Sequence, residues 1–280
     1  MTFSIAAFEP GSASWGVAVA SKFLAVGAAV PWGRAGAGAV ATQAMANLSY
    51  GPDGLDLLAG NVPAAAVVER LTTADADRDH RQLGVVDAGG RAATFTGAAC
   101  LDWAGGVAGD GFAVQGNILV GPRVVEAVVA AWQRPAAGAP LARRLVGALA
   151  AGDAAGGDRR GRQSAALRVW KAGAAYGGVL DMAVDLRVDD HHDPVGELVR
   201  LLGLHELYFG SPDPARLLPL EGELAGQVAA SLERLGYPTG QGERLAEALE
   251  AWAGTENFEE RLVPGKLDPV VWEQLQRQSR

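Results

Sequence analysis

A single cysteine, Cys100, stands in the 280 residues, so no disulfide can close within the chain. A lone thiol suits a reducing compartment. Lysine is almost absent: Lys22, Lys171 and Lys266 stand against 21 Arg, and there are only two Ile and four Asn. Against that drift, a Lys or Asn at a strand end draws notice. No apolar run approaches the roughly 18 residues of a membrane span. No basic segment precedes the first apolar residues, so the N-terminus does not read as a signal peptide and the expected location is the cytoplasm. Basic stripes are missing too. The formal charge is −8, which sets aside nucleic acid as a partner and argues against anionic membrane surfaces. No cofactor motif occurs, and none is expected to bind.

What is present is ordinary globular material, 49% hydrophobic and 20% charged, with 38 Gly. At about 150 residues per domain the length suggests two domains. Residues 2–9 and 14–21 read as strands around a Pro10-Gly11-Ser12 turn. Apolar runs follow at 24–32 and 37–43. Helical patterns cover 53–59 and a segment opened by Pro63. Strands return at 82–87 and 91–96 around Asp87-Ala88-Gly89-Gly90, a strong hairpin signal. Weaker strands fall at 105–109 and 111–116. Helices at about 121–133 and 140–152 precede strands at 164–171 and 180–188. In the second of these helices Leu141, Leu145, Ala148 and Leu149 share one face. Hairpins dominate and helices come in pairs, which indicates antiparallel sheets covered by helices rather than βαβ alternation. After Asp189-Asp190-His191-His192-Asp193-Pro194 a helix covers 195–202. Three more near 219–235, 242–253 and 268–278 form a second, all-α part. The expected domains are 1–203 and 204–280.

The chemistry begins at Thr2. Removal of the initiator Met before a small residue would leave Thr2 with a free α-amine. A hydroxyl and an amine on one residue make a compact nucleophile and base, since such an amine titrates near 7.7–8.0. The hairpin returns the end of its second strand to residue 2, which places Lys22 near Thr2. Its ammonium would lower the amine's pKa. Thr42 and Gln43 close the fourth strand and Asn47 follows them. Gln115-Gly116-Asn117 joins a strand to a helix, where the Asn117 amide or a backbone N–H could meet an oxyanion. The segment from Gly156 to Ser164 is the densest in polar groups. Its Asp158, Arg159, Arg160, Arg162 and Ser164 are candidates to bind an anionic substrate, although the segment lacks the ending of a phosphate loop. The Asp189–Asp193 run reads as a polar linker that caps a helix, because five adjacent residues cannot face one ion. No metal site is expected. Cys100 reads as a small buried hydrophobe.

These segments together resemble a known family. Thr2-Phe3-Ser4-Ile5, Gly16 to Lys22, Gly38 to Gln43, Arg81 to Asp87, Gln115-Gly116-Asn117, Gly156 to Ser164 and Asp185 to Pro194 are similar to the bacterial family catalogued as domain of unknown function 1028. That family is grouped with the N-terminal nucleophile hydrolases. The resemblance implies a four-layer αββα sandwich of two antiparallel sheets. It also implies a Thr nucleophile, falling on Thr2, with a neighbouring Lys falling on Lys22. Residues 205–280 resemble a helical peptidoglycan-binding-like domain through His205 to Gly210, Leu232 to Tyr237, Ala248 to Trp252 and Thr255 to Arg261. A wall ligand conflicts with the missing export signal. The label is therefore taken as a fold analogy, with a muropeptide as the alternative.

The expected function is an N-terminal-threonine amidohydrolase for a small anionic amide or peptide, working as a homo-oligomer. Thr2, Lys22 and Asn117 would be catalytic. Thr42, Gln43, Asp158, Arg159, Arg160, Arg162 and Ser164 would bind substrate. The alternative from another class is a non-catalytic ligand- or partner-binding protein on the same fold.

Overall fold

Ten strands of the first 190 residues build two antiparallel sheets, and a computed structural model of the chain describes residues 2–135 and 138–280. The strands are β1 (Thr2–Glu9), β2 (Ser14–Ser21), β3 (Pro31–Arg34), β4 (Gly38–Ala44), β5 (Arg81–Asp87), β6 (Ala92–Thr96), β7 (Gly105–Gly109), β8 (Phe112–Asn117), β9 (Ser164–Trp170) and β10 (Met182–Val188). One sheet runs β10-β9-β2-β1-β8-β7 and the other is the meander β3-β4-β5-β6. Helices α1 (Tyr50–Ala59) and α2 (Ala64–Thr73) cover the smaller sheet, while α3 (Arg123–Gln133) and α4 (Leu141–Ala154) cover the larger. The chain is thus an αββα sandwich followed by a helical part.

Strand alternation makes the layers. Phe3, Ile5 and Ala7 on β1 pack with Val124, Val128, Leu145 and Leu149 of the helices. The intervening Ala6 packs with Val17, Val19, Ala39 and Val86 between the sheets. Beyond the smaller sheet, Val40, Leu83 and Val85 meet Leu55, Leu58, Val67 and Leu71. The middle layer holds mostly Ala and Val, so the sheets approach closely there. Toward one end its inward positions turn polar, at Thr2, Ser4, Gln43, Gln82 and Gln115, all of them buried.

Two segments differ from the sequence expectation. The apolar run 24–32 is strand only from Pro31; before it lies a 3-10 turn at Val26–Ala28. Tertiary bonds decide this. The Ala25 N–H donates to the Asp189 carbonyl at 2.9 Å, and the Val26 N–H donates to Ser164 Oγ at 3.1 Å. Helix α1 starts at Tyr50 rather than Asp53, and Tyr50 is buried on its first turn.

The chain divides into compact units Met1–Leu202 and Gly203–Arg280. Helix α5 covers Pro194–Phe209, and the Asp193 carboxylate accepts from the Gly196 N–H at 3.3 Å, the capping role read for the acidic linker. The second unit contains α6 (Gly222–Arg234), α7 (Leu245–Thr255) and α8 (Pro269–Gln278) around Val228, Leu232, Trp252, Phe258 and Leu275. It also has one feature the all-α reading lacked, a two-residue ribbon of β11 (Leu218–Pro219) with β12 (Lys266–Leu267). Inside this unit the buried Arg261 guanidinium donates to Asp268 at 2.7 Å and to the Leu207 carbonyl at 2.6 Å. The other Asp268 oxygen accepts from the Val270 N–H and caps α8. No helix among the described residues is long and apolar enough to cross a membrane.

Candidate active site at the head of the central strand

Thr2 begins β1, which lies inside the larger sheet between β2 and β8. It is opposite Ser21 on one side and Asn117 on the other. Its side chain shares the parity of Ser4 and Ala6 and therefore faces the smaller sheet. The Thr2 and Ser21 hydroxyl oxygens are 3.1 Å apart. Met1, whose removal the nucleophile argument requires, lies outside the described residues.

Behind Thr2 four carboxamides interlock. Gln43 Nε2 donates to Gln82 Oε1 at 2.8 Å, to the Thr2 carbonyl at 3.2 Å and to the Gln115 carbonyl at 3.3 Å. Gln82 Nε2 donates to the Gly116 carbonyl at 2.8 Å and to Thr96 Oγ1 at 2.9 Å. Asn117 Nδ2 donates to Gln82 Oε1 at 3.0 Å and to the Thr2 carbonyl at 3.5 Å. Ser4 Oγ donates to Gln43 Oε1 while accepting from Gln115 Nε2, both at 2.6 Å. All four amides are at most 1% exposed. Buried amides of this kind stay only when their donors and acceptors are matched. The lattice pins the first residue of β1 across both sheets. Gly84 makes room for it, because a Cβ there would collide with the Gln115 amide.

The lattice reassigns several expected roles. Gln43, read as a substrate contact, is buried with its amide committed to protein groups. Asn117, read as an oxyanion donor, is buried with its amide donating to Gln82 Oε1 and, at 3.5 Å, to the Thr2 carbonyl. Thr42 lies on the other face of β4, where its hydroxyl donates to the Asn47 carbonyl at 3.0 Å. Ser164 is also buried; it accepts from the Val26 N–H and donates to the Phe23 carbonyl, fixing the turn after β2.

The residue beside the Thr2 hydroxyl is Ser21, not Lys22. Lys22 is exposed, and its Nζ donates to the Arg162 carbonyl at 3.3 Å. Its backbone N–H donates to Asp158 Oδ2 at 2.7 Å. Asp158 in turn accepts from the Arg160 N–H at 2.8 Å, and Arg160 Nη2 donates to the Lys22 carbonyl at 3.0 Å. Arg162 forks onto Asp153, with Nε and Nη2 each 2.8 Å from a carboxylate oxygen. That bond raises the Arg162 pKa further. Most of the loop's charge is thus spent internally. Arg159 is the exception: it is exposed, its backbone N–H donates to the Ile118 carbonyl, and its guanidinium has no partner among the described residues.

A cleft of about 380 Å³ opens at this end of the sandwich, lined by Phe3, Ser21, Asp158, Arg162 and His192 among others. At the foot of β4 and β5, Asp75 accepts from Asn47 Nδ2, Tyr50 OH and Arg81 Nε, each at 3.0 Å. The Asn47 and Arg81 hydrogen bonds hold its carboxyl well below the usual carboxylate range. Burial, with the hydrogen bond to Asp75 second, pushes the Tyr50 phenol up. Cys100 is only partly buried, with Sγ donating to the Arg81 carbonyl at 3.3 Å, so it is not the core hydrophobe the sequence suggested. Burial raises its pKa, the reverse of an activated thiol. Among the described residues no three metal-ligating side chains converge.

Gln82, Gln115, Ser4 and Ser21 carry the site's geometry and were not singled out as its members. The signal was available: each is a polar residue at an inward position of a strand whose neighbours of like parity are small or apolar.

The fold and site define an αββα protein that holds a hydroxyl at the head of its central strand. A family model described as "Family of unknown function (DUF1028)" matches residues 2–198, and the chain belongs to that family. A second model, "Putative peptidoglycan binding domain", matches residues 208–275. The chain is similar to the crystal structure of protein SPO2555 from Silicibacter pomeroyi, assigned to the same DUF1028 family. The two share 30% sequence identity with a TM-score of 0.66, over 81% of this chain and 92% of that one. No curated protein matches the chain.

Proposed function

We propose that this protein is an N-terminal-threonine amidohydrolase that cleaves a small anionic amide or peptide. The observation that carries the proposal is the Thr2 hydroxyl, held 3.1 Å from Ser21 Oγ at the head of a central strand. With Met1 removed, the α-amine of Thr2 takes the hydroxyl proton as Oγ bonds to the substrate carbonyl carbon, and the carbonyl π pair moves to oxygen. The C–N bond then breaks and the leaving nitrogen takes the proton from the α-ammonium. Water attacks the resulting ester by the same proton path, releasing the acid and restoring Thr2. The amide lattice fixes the backbone that carries both reacting groups, so their mutual geometry is set before substrate arrives. Arg159 supplies the charge for an anionic substrate, because the guanidinium groups of Arg160 and Arg162 are already bonded.

A second reading, a ligand-binding protein without turnover, draws on the Lys22 ammonium, which bonds the Arg162 carbonyl rather than serving Thr2. Intact mass before and after treatment with a β-lactone separates the two. Loss of Met1 and one adduct on Thr2 supports the hydrolase. A retained Met1, or a free Thr2 that takes no adduct, supports the binder.

A further inference from the structure

We infer that the substrate's acyl part is a hydrocarbon chain, seated on a rim of exposed apolar side chains around Thr2. This rests on the reading of Thr2 as a nucleophile. Phe23, Leu24, Met45, Leu48, Leu101 and Val120 are all large, apolar and 48–65% exposed. Singly, such residues need no explanation; gathered at one place they mark a contact surface.

Connectivity gathers them. Phe23 and Leu24 follow Ser21, the partner of Thr2 on β2. Val120 follows Asn117, the partner of Thr2 on β8. Leu101 is tied beside it, its carbonyl accepting from the Ile118 N–H at 2.9 Å. Met45 and Leu48 follow Gln43, whose amide donates to the Thr2 carbonyl from the facing sheet. Each of these apolar groups thus follows, within a few residues, or is bonded beside, the end of a strand that pairs with or bonds Thr2.

The rim's cations point the same way. Arg81 is bonded to Asp75 at 3.0 Å and to Asp77 at 3.3 Å. Arg160 and Arg162 are held as described, which leaves Arg159 and the exposed Lys22 ammonium, bonded among the described residues only to the Arg162 carbonyl, as the charged contacts. These two cations beside an apolar rim fit an amide with a hydrocarbon acyl chain on one side and an anionic group on the other.

The test uses the full chain with Met1 removed, as verified by mass, and two β-lactones of similar size. One carries an unbranched alkyl chain and the other a carboxylate. Either opens on Thr2 and adds its whole mass. The alkyl lactone is expected to label Thr2 about tenfold faster. Phe23→Ser and Leu101→Ser, both at exposed positions, are expected to remove most of that preference while leaving the carboxylate lactone's rate unchanged. Equal rates for the two lactones, with Thr2 labelled, overturn the acyl-chain inference and leave the nucleophile standing. An unchanged preference in both variants, with a changed oligomeric state on sizing, assigns the rim to a second copy of the chain and overturns it as well. Labelling by neither lactone overturns the nucleophile and the inference built on it.

Discussion

The hydroxyl oxygens of Thr2 and Ser21 stand 3.1 Å apart across the first two strands. Their residues are direct partners in the ladder, so the contact follows from strand register rather than from a flexible loop. Ser21 thereby orients the group proposed to react. Ser21→Ala should leave the fold intact and slow lactone acylation of Thr2 by about tenfold, the worth of one orienting hydrogen bond. Thr2→Ala should abolish labelling. Equal rates for Ser21→Ala and the native protein would show that the contact has no part in the chemistry.

Gly84→Ala should destabilise the sandwich by about 2–4 kcal/mol, since its Cβ collides with Gln115 and opens a lattice of buried amides. Gln82→Met should act through the same lattice, because it strips the acceptor from Gln43 and Asn117. Denaturant unfolding of the two variants and the double mutant checks this. The double mutant should fall short of the sum, as expected for one shared network.

Asp75 links stability to acid. Its carboxyl pKa is depressed in the folded chain, by hydrogen bonds from Asn47 first and Arg81 next. A depressed pKa adds stability that is fully present above the ordinary Asp value of about 3.9 and is lost as pH falls through the lower folded value. The stability gap between the native protein and Asp75→Asn should therefore be constant near neutral pH and shrink below about pH 4. Melting curves over that range read it directly. A gap that widens in acid would refute the assignment.

In the C-terminal unit Arg261 and Asp268 are both buried and bonded at 2.7 Å. Removing one partner strands the other charge, at a cost of about 3–5 kcal/mol. Asp268→Ala should cost at least as much as Arg261→Met, because it also removes the α8 cap. Thermal unfolding of the two variants orders them.

Strand order along the chain, the hairpins and the paired helices were legible because each depends on local periodicity and turn residues. The β1–β2 hairpin around Pro10 and Gly11 even places the end of β2 beside Thr2. Periodicity does not report which neighbour's side chain wins a position. The hydroxyl next to Thr2 belongs to Ser21 because register pairs those two residues, whereas Lys22, one residue on, leaves the ladder and turns to the Arg162 carbonyl. The run 24–32 looked like strand from its apolar content, yet Ser164 and Asp189, more than 130 residues away in sequence, bend it into a turn.

The amino-acid sequence alone determined antiparallel sheets covered by paired helices, with the αββα layering implied by the family resemblance, and it put Thr2 at the head of the first strand. Only the tertiary structure decided that Gln43, Gln82, Gln115 and Asn117 are one buried lattice rather than four separate polar residues. It alone left Arg159 as the loop guanidinium without a partner among the described residues. The reason is physical. Strands, hairpins and helices follow from the spacing of neighbours along the chain, while hydrogen-bond satisfaction depends on which strands face each other across two sheets.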